Sequence, residues 1–372
     1  MAYMRLWRKF RLFTLAGILW TNVLVILLMA FSALVQYVSP SHFPRLSVFI
    51  YAFPILLALN TLFLAFWLIL RKFLAALFPI VGMVLCFNSV RTFVPINIPV
   101  SPPSNTPSIS ILSYNVKNFN SCIKQGGESP ILQYLRDSGA DIICLQEYAF
   151  SGNKRKVTSK DIDKYLADWP YRSVAPMNKS SRVKLACFSK FPILSVQSID
   201  YASESNGSVA YEILCGEDTL LVVNNHLESN KLCTHEKEKF EGIIQRKVER
   251  RQVLENIMYL ARRVAHSNSL RAPQADSVSS FVQRSRHSYK IVCGDFNDIP
   301  VSYTHHAMCR GLKDAFRESG IGFGVSFHES GFFFHIDNIL VSKSFRSYNC
   351  RIERTIKDSD HYPIRCQLVK KP

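Results

Sequence analysis

The sequence predicts a layered α/β domain preceded by a helical membrane region. The first 100 residues contain no Asp or Glu and only eight Lys or Arg, whereas all 28 acidic residues follow Val100. After Val100, short apolar strand-like runs alternate with helical stretches, which is the pattern of a domain whose helices cover a sheet. Of the 45 basic residues, the 37 in the later part exceed its acidic residues by nine. The break in composition therefore marks a domain boundary.

Three uncharged apolar runs predict three transmembrane helices within residues 1–92, at 12–37, 46–70 and 73–90. Each of the first two is long enough for a hydrocarbon core of roughly 30 Å at about 1.5 Å per residue. The third is shorter, about 27 Å by the same arithmetic. A cleaved signal peptide followed by a buried hairpin is disfavoured, because the first run is too long and no small-residue cleavage site follows it.

The basic residues of this region indicate its orientation. They cluster before the first run and between the second and third, at Arg5, Arg8, Lys9, Arg11, Arg71 and Lys72. The loop between the first two runs carries only Arg45. The positive-inside bias then places the N-terminus and the Arg71–Lys72 turn in the cytoplasm. With three spans the later domain lies outside the cytoplasm; if the third run does not span, that domain lies inside.

Residues 93–107 form a proline-rich linker, expected to be extended and to hold the domain a short distance from the bilayer. Residues 108–372 form the α/β domain. Its predicted strands are 108–116, 141–145, 185–189, 209–214, 219–225, 290–293, 325–328, 332–341 and 365–369. Its predicted helices are 129–138, 235–265 and 271–286, and residues 153–164 are expected to be a polar surface loop. The ten cysteines contain no C-x-x-C pair, so neither a zinc motif nor a disulfide framework is expected.

Polar residues follow the predicted strands at the points where the apolar runs end. After the strand 290–293, Gly294 breaks the pattern, and Asp295 and Asn297 follow with one residue between them. Alternate residues of an extended segment point the same way, so these two side chains can share one pocket. The same situation recurs at Asn115, Glu147, His226, Asp337, Asp360 and His361. One such site would be an ordinary turn, but the recurrence of carboxylate, amide and imidazole groups predicts a site for phosphate, water or a hard cation.

These motifs resemble the endonuclease/exonuclease/phosphatase superfamily. L-S-Y-N, L-Q-E, N-H-L, G-D-F-N, I-D-N-I-L and S-D-H-Y-P-I stand in the family's order between Ser108 and Lys370. R-A-P-Q at Arg271–Gln274 and the apolar N-terminal runs are similar to membrane-anchored bacterial members. The resemblance implies a four-layer α/β sandwich, two mixed β-sheets flanked by helices. It also implies a multi-pass protein of the bacterial inner membrane.

The resemblance also implies roles for the site residues. Glu147 with Asn115, and with Asp360 as a further candidate, would hold Mg²⁺ or Mn²⁺; whether one or two ions bind stays open. His361 would be the general base for the attacking water, or stabilise the charge on phosphorus. Asp337 would fix its tautomer.

The remaining roles concern water and the leaving group. Asp295 would orient the water, Asn297 would hydrogen-bond the phosphate, and His226 would face the leaving oxygen. His226 stands where abasic-site endonucleases place a tyrosine, which favours the deoxyribonuclease and sphingomyelinase branches. His335 and Asn338 stand where related chains favour arginine and an aromatic residue, which affects substrate choice more than the chemistry.

The sequence therefore predicts a membrane-anchored, metal-dependent hydrolase of phosphoester bonds, with a phosphodiester favoured. Its substrate would be nucleic acid, a phospholipid headgroup or a phosphorylated small molecule. Its other partner is the lipid bilayer, and no obligate protein partner is expected. The alternative from another class is a catalytically inactive, anchored binding domain, whose expected mark is a missing Glu, His or Asp; none is missing.

Overall fold

The computed structural model describes residues 2–119, 128–150, 156–177, 183–203, 205–230, 250–329 and 331–371. Helix α1 spans Ala2–Val35. Two short turns, α2 (Pro44–Ser47) and a 3₁₀ turn (Val48–Ala52), lead into α3 (Phe53–Ile69). Within the described residues, Tyr3–Val35 and Pro44–Ile69 are two helices long and apolar enough to cross a membrane.

The third apolar run differs from the straight helix predicted over 73–90. It forms α4 (Phe73–Leu85) and α5 (Phe87–Phe93), which are bent by 74° relative to each other. Polar residues begin after Cys86, and the bend allows them to find partners. Asn88 accepts a hydrogen bond from Arg317 over 3.1 Å, and Ser89 accepts one from Gln36 over 3.0 Å.

Buried amides hold the three long helices together. Asn22 of α1 donates to Asn60 of α3 over 3.3 Å, and Trp67 Nε1 donates back to Asn22 over 3.3 Å. Asn60 in turn donates to the Pro79 carbonyl in α4 over 2.9 Å. Because an apolar bilayer offers such groups no partner, interhelical hydrogen bonds of this kind stabilise association inside it.

The rest of the chain contains two six-stranded mixed sheets. The first has the strand order β13-β14-β1-β2-β4-β3 and the second β5-β6-β7-β8-β12-β9. Only the pairs β1–β2 and β7–β8 are parallel among the described strands. The first sheet consists of β1 (Ser108–Asn115), β2 (Ile142–Tyr148), β3 (Tyr171–Pro176), β4 (Lys184–Ser189), β13 (Phe345–Ile352) and β14 (Ile364–Lys370). The second consists of β5 (Ile193–Ser198), β6 (Gly207–Cys215), β7 (Asp218–His226), β8 (Tyr289–Asp295), β9 (Leu312–Asp314) and β12 (Asp337–Ser342). A separate two-stranded ribbon joins β10 (Phe327–Glu329) to β11 (Phe332–Phe334).

Hydrophobic side chains from both sheets meet in one central core, which includes Ile111 and Leu185 of the first sheet and Val222 and Ile291 of the second. The outer face of the first sheet is covered by α6 (Pro130–Asp137) and α7 (Ser159–Tyr165). The outer face of the second is covered by α8 (Arg250–Arg284) and α9 (Tyr303–Met308). A short α10 (Ala315–Ser319) follows β9. The predicted four-layer sandwich is confirmed.

Two predictions about helices are wrong. The stretches 235–265 and 271–286 were expected to be separate helices, but 250–284 is one helix that continues through Pro273; residues 231–249 lie outside the described residues. The expected loop 153–164 contains α7, whose Thr158 and Asp161 form a reciprocal capping box; residues 151–155 also lie outside. The long helix continues through Pro273, despite the missing N–H, because Arg271 and Gln274 beside it are hydrogen-bonded to Glu228. Helix α7 forms because the Thr158–Asp161 capping box initiates it.

The linker does not hold the domain away from the helical region. Asn97 donates to the carbonyls of Arg317 and Gly320, at 3.0 and 2.7 Å. Ile299 and Val301 of the domain pack in one hydrophobic cluster with residues of α1, the 3₁₀ turn and α3. Backbone groups of an extended segment need partners when they are covered, and Gly322 of the domain donates its backbone N–H to the Pro95 carbonyl over 2.9 Å. The linker thus joins the domain to the helical region through direct contacts, and the predicted distance of the domain from the bilayer stays a prediction.

Candidate active site

Three neighbouring strands of the second sheet place three predicted residues side by side. His226 ends β7, Asp295 ends β8 and Asp337 begins β12. The strand register pairs His226 with Asp295 and Asp295 with Asp337. Their spacing is thus set by backbone hydrogen bonds rather than by loops.

Gly294 is required by this arrangement. Its φ is +129°, and a Cβ at this position would lie 2.0 Å from the Asn225 carbonyl oxygen. Only glycine allows the backbones of β7 and β8 to approach this closely where the strands end. The G-D-x-N motif therefore combines a packing requirement with two of the predicted site residues, Asp295 and Asn297.

The first sheet contributes Asn115 at the end of β1 and Glu147 near the end of β2. Glu147 has φ +49° at an irregularity in the pairing of β2 with β4. A non-glycine residue in this conformation is strained, and strain of this kind concentrates at functional sites. Beneath them, Gln146 donates to Asn224 of the second sheet over 2.6 Å, which ties the two sheets together.

Asn115 connects the two sheets at the site itself. Its Nδ2 donates to Glu147 Oε1 over 3.2 Å and to Asp295 Oδ2 over 3.1 Å. Its Oδ1 accepts from the backbone N–H of Lys117 over 3.1 Å, which fixes the orientation of the amide. Asn115 thus holds two carboxylates at a fixed separation and presents N–H groups, not oxygen, to them.

His226 lies against the same two carboxylates. Its Nε2 is 3.4 Å from Glu147 Oε1 and 3.7 Å from Asp295 Oδ2. Its Nδ1 faces Nδ2 of Asn206 at 2.9 Å, and the second hydrogen of that amide goes to the Leu227 carbonyl, also over 2.9 Å. Because both Asn206 hydrogens are committed, Nδ1 is the acceptor and Nε2 carries the proton.

His361 and Asp337 form a tight pair. Nδ1 of His361 is 2.8 Å from Asp337 Oδ2, and its Nε2 is 3.6 Å from Asp295 Oδ2. Ser326 Oγ accepts the backbone N–H groups of Ile336 and Asp337 over 3.0 Å each, which holds the start of β12 in place. Both histidines therefore direct Nε2 toward the one carboxylate of Asp295.

Burial and charge shift the pKa values in opposite directions. Burial would raise the pKa of Glu147, but His226 and Asn115 bring it down to about 2. Burial raises the pKa of Asp295 to about 6, partly offset by His361. Burial would lower the pKa of His361, but Asp337 and Asp295 raise it to about 10. At neutral pH this site thus holds an ionised Glu147, a protonated His361 and a carboxyl that titrates near neutrality.

In the described contacts, the side chains of two predicted residues, Asn297 and Asp360, bond to groups outside this cluster. Asn297 donates its backbone N–H to Asp295 Oδ1 over 2.8 Å and its Nδ2 to the Leu227 carbonyl over 2.9 Å, so it braces the loop. Asp360 pairs with Lys117 over 2.8 Å, and Lys117 also reaches Glu329 over 2.7 Å. None of the described contacts joins Asp360 to Glu147, and its predicted metal role has no support from geometry.

Sequence reasoning missed Asn206, Lys117 and Ser326. Asn206 lies in S-N-G-S, which is typical of a turn, and its partner His226 is 20 residues away. Lys117 follows β1 in a left-handed conformation, φ +44°. That unusual backbone is visible only in the structure, because V-K-N-F alone predicts nothing of the kind.

The residues of the site fit a hard divalent cation at Glu147. Its carboxylate is ionised and 29% exposed, whereas the Asp295 side chain is only 2% exposed. A single open carboxylate with room for water suits Mg²⁺, which retains several waters at phosphate sites. A second group, Asp295, Asp337 and His361, has ligand atoms within 4.8 Å of one another. There the Asp337–His361 hydrogen bond already occupies one ring nitrogen.

Residues 112–361, two thirds of the chain, match the sequence profile of the endonuclease/exonuclease/phosphatase family. The chain belongs to this family. Endonuclease/exonuclease/phosphatase family members are phosphoesterases and nucleases, and they generally use divalent metals. Residues 11–93 match a domain of unknown function, DUF8431. A comparison with curated proteins finds no match.

Several solved structures are similar to the chain. One is an endonuclease/exonuclease/phosphatase family protein from Bacteroides thetaiotaomicron, at 17% identity and TM-score 0.48, with 72% of this chain and 96% of that chain covered. Another is D. rerio TDP2 complexed with single strand DNA product, at 14% identity and TM-score 0.49, with 70% and 98% covered. A third is ANGEL2, a 2',3'-cyclic phosphatase, at 14% identity and TM-score 0.48, with 74% and 100% covered.

Proposed function

We propose that the chain is a membrane-anchored, divalent-metal-dependent hydrolase that cleaves phosphoester bonds by attack of water, with a phosphodiester as the favoured substrate. The observation that carries the proposal is the convergence of two histidines on Asp295, each fixed from behind by its own partner, Asn206 or Asp337. The formation of ordinary turns at strand ends does not require two imidazoles to be oriented toward one carboxylate.

His361 has the role of a charge stabiliser. Its raised pKa keeps it protonated at neutral pH, so Nε2–H donates to the phosphate oxygens as negative charge develops on them. Asp337 holds the ring through Nδ1 and compensates the imidazolium charge. Of the two roles predicted for His361, this charge state favours charge stabilisation over general base.

Asp295 is the group suited to accept the proton of the attacking water. Its carboxylate is buried, its pKa of about 6 lies near neutrality, and a general base is most effective when its pKa is near the working pH. Asn297 keeps this carboxylate in position through its backbone N–H. The remaining hydrogen of its amide group is available to the phosphate.

His226 faces the leaving oxygen. Asn206 keeps the proton on Nε2, and that proton is donated as the P–O bond breaks. Glu147 would hold the metal ion, with Asn115 as the residue that positions Glu147 rather than as an oxygen ligand. When bound, the ion supplies positive charge to a phosphate oxygen and to the leaving group.

The proposed substrate belongs to one of three classes of phosphoester: nucleic acid, a phospholipid headgroup or a phosphorylated metabolite. The excess of nine basic residues after Val100 favours an anionic substrate of any of these kinds. An inactive anchored domain is not favoured, because Glu147, His226, Asp295, Asp337 and His361 are all present and in contact.

We further propose that the catalytic domain lies on the extracytoplasmic side of a bacterial inner membrane. The domain packs against the C-terminal end of α1 and the start of α3, through Met29 and Phe53. The basic N-terminus and the Arg71–Lys72 turn are at the opposite ends of these helices. Basic helix ends stay in the cytoplasm, so α3 returns the chain to the cytoplasmic side at Arg71–Lys72. The chain must then cross once more, through α4 and α5, to reach a domain that packs at the opposite ends of α1 and α3.

The activity is tested with the full-length protein in detergent, because the domain and the helical region are packed together. Bis-p-nitrophenyl phosphate, plasmid DNA and sphingomyelin are incubated with the protein, with Mg²⁺ or with EDTA. Glu147→Gln and His361→Ala are expected to lose activity by about 10²-fold or more. Glu318→Gln, which removes a surface carboxylate paired with Lys313, is the control and should leave activity unchanged. Wild-type protein that hydrolyses none of the three substrates would contradict the proposal.

Sidedness is tested separately with a C-terminal fusion to reporters that are active on one side of the membrane only. Alkaline phosphatase activity from the fusion is the expected result, because that enzyme needs the oxidising exterior. Activity of a cytoplasmic reporter alone would overturn the three-crossing topology without affecting the proposed chemistry.

A further inference from the structure

Arg271 is a fully buried arginine that the proposed chemistry does not use. It lies in α8, and its guanidinium is 0% exposed. Its Nε donates to the Glu228 carbonyl over 2.7 Å, and its Nη1 is 3.1 Å from Asp298 Oδ2. Glu228 lies two residues after His226, and Asp298 directly follows Asn297. One guanidinium therefore joins the two loops that leave β7 and β8 at the site.

Asp298 is the centre of a buried polar cluster that includes the helical region. Thr304 donates to its Oδ2 over 2.8 Å, and Tyr51 donates to its Oδ1 over 2.8 Å. Tyr51 belongs to the 3₁₀ turn that leads into the membrane helix α3. A second link lies beside it, because Asn268 of α8 donates to Ser47 Oγ over 2.9 Å and accepts from Arg271 over 3.0 Å.

This cluster is connected to the site through the backbone. The Leu227 carbonyl accepts hydrogen bonds from both Asn206 and Asn297, so the β7 and β8 loops share one acceptor next to His226. The backbone N–H of Glu228 is held by Gln274, one turn along α8 from Arg271. Displacement of Asp298 would therefore shift Asn297 and the Leu227 carbonyl together.

The membrane hairpin consists of α1, the turns that follow it and α3. We propose that Tyr51 is a positioning residue, through which docking of this hairpin on the domain sets the geometry of the two loops that follow β7 and β8. The expected effect on kcat rests on the proposed function. The expected effect on the position of the two loops rests on the contacts alone. A buried arginine–aspartate pair needs all of its hydrogen-bond partners, because unsatisfied charge in the interior is costly. The Tyr51 hydroxyl is the partner that the helical region provides, so the active-site loops have their full set of contacts only when the hairpin is docked.

The test compares Tyr51→Phe with Tyr303→Phe in the full-length protein in detergent. Tyr303 is the matched control, because its hydroxyl also donates to a carboxylate, Asp276 on α8, at 2.9 Å, but away from both loops. Tyr51→Phe is expected to lower kcat toward bis-p-nitrophenyl phosphate by about tenfold, with KM changed by less than about twofold, since small misplacements reduce the rate more than binding. Tyr303→Phe should leave both constants unchanged. Equal kcat for wild type and Tyr51→Phe would overturn the proposal.

Hydrogen–deuterium exchange provides a readout that does not depend on activity. Tyr51→Phe should increase exchange in peptides covering 226–230 and 295–299 and leave β12 as in wild type, whereas Tyr303→Phe should change neither loop. If wild type hydrolyses no substrate but the exchange pattern appears, the proposed function fails and the coupling stands. If the loops exchange as in wild type, the coupling fails. Should Tyr51→Phe not fold, Ser47→Ala removes the neighbouring hairpin contact and is judged by the same two readouts.

Discussion

Asn206 donates a hydrogen bond to Nδ1 of His226 over 2.9 Å, and so determines which ring nitrogen carries the proton. Neither residue's neighbours in sequence suggest this pairing. Because of this contact, the nitrogen of His226 that faces Glu147 and Asp295 is a hydrogen-bond donor. Four experiments follow from this contact, from others described above and from the buried pair His305–Asp314.

Asn206→Asp should place a proton on Nδ1 in addition to the one on Nε2. An aspartate accepts rather than donates, and as a third carboxylate beside Glu147 and Asp295 it stabilises the imidazolium form of His226, whose Nε2 proton is then held too tightly to be donated. We expect kcat to fall by roughly 10²-fold, the usual size of a general-acid contribution. Asn206→Ser should retain more activity than Asn206→Asp, because a neutral hydroxyl adds no negative charge beside the ring. Steady-state kinetics of the three proteins decides the order, and the reverse order would refute the assignment.

Glu147→Gln should weaken metal binding without unfolding the protein. The carboxylate is ionised at neutral pH, and the neutral amide supplies less charge to a hard cation. The Mg²⁺ concentration for half-maximal activity should rise by at least about tenfold. Titration of Mn²⁺ followed by electron paramagnetic resonance measures the same affinity without turnover. Unchanged affinity in both measurements would show that Glu147 does not bind the ion, and would favour the group of Asp295, Asp337 and His361 as the metal site.

Gly294→Ala should destabilise the protein far more than Gly216→Ala. Both glycines have positive φ, but a Cβ at Gly216 meets nothing within 4 Å, whereas at Gly294 it would lie 2.0 Å from backbone oxygen. We expect about 1 kcal/mol for Gly216 and at least about 3 kcal/mol for Gly294. Thermal unfolding monitored by tryptophan fluorescence gives the comparison. Similar losses at the two sites would show that strain in φ alone, and not the close approach, requires glycine.

The buried pair His305–Asp314 should make stability depend on pH. Burial would lower the pKa of His305, but Cys309 and Asp314, the latter 3.1 Å away, raise it to about 10. A raised pKa stabilises the fold fully below the unfolded value of about 6.5, and this contribution is lost as pH rises toward 10. His305→Gln should therefore cost roughly 3 kcal/mol at pH 6 and less at pH 10. A cost that does not depend on pH would show that His305 is neutral in the fold.

His287→Gln is the control for that experiment. His287 is partly exposed and lies 3.4 Å from Glu212 on the surface. Surface substitutions of this kind change stability by less than about 0.5 kcal/mol. Unfolding of both variants and wild type is compared at pH 6, 8 and 10 in the same detergent.

The sequence was sufficient for the layers and for the residues at strand ends. Apolar alternation predicts β1, β7 and β8, and the polar residues that end these three strands, Asn115, His226 and Asp295, meet at the site. The edge strand β3 was missed because it is half-exposed and lacks a clean apolar face. The start of α7 was readable from T-S-K-D, since a Thr followed three residues later by an acid is a capping signal.

Contacts between distant segments were beyond sequence reasoning. Pro273 predicts a helix break, but Arg271 and Gln274 on either side of it are anchored to Glu228, and this tertiary contact keeps α8 continuous. The docking of Tyr51 on Asp298 joins residues 247 positions apart. No local pattern encodes a partner at that separation, because it depends on how the helical region and the sandwich come together.

The register of β7, β8 and β12 separates the chemistry of this protein from its choice of substrate. His226, Asp295 and Asp337 occupy one cross-strand row, so their spacing survives any change in loop length beyond the strand ends. A one-residue slip within a strand, by contrast, would turn one of these three side chains to the opposite face. Insertions are thus expected to be tolerated in the loops beyond the strand ends, but not within β7, β8 or β12. A laboratory selection for new substrates should accordingly vary the length of the loops beyond the strand ends and leave these three strands unchanged.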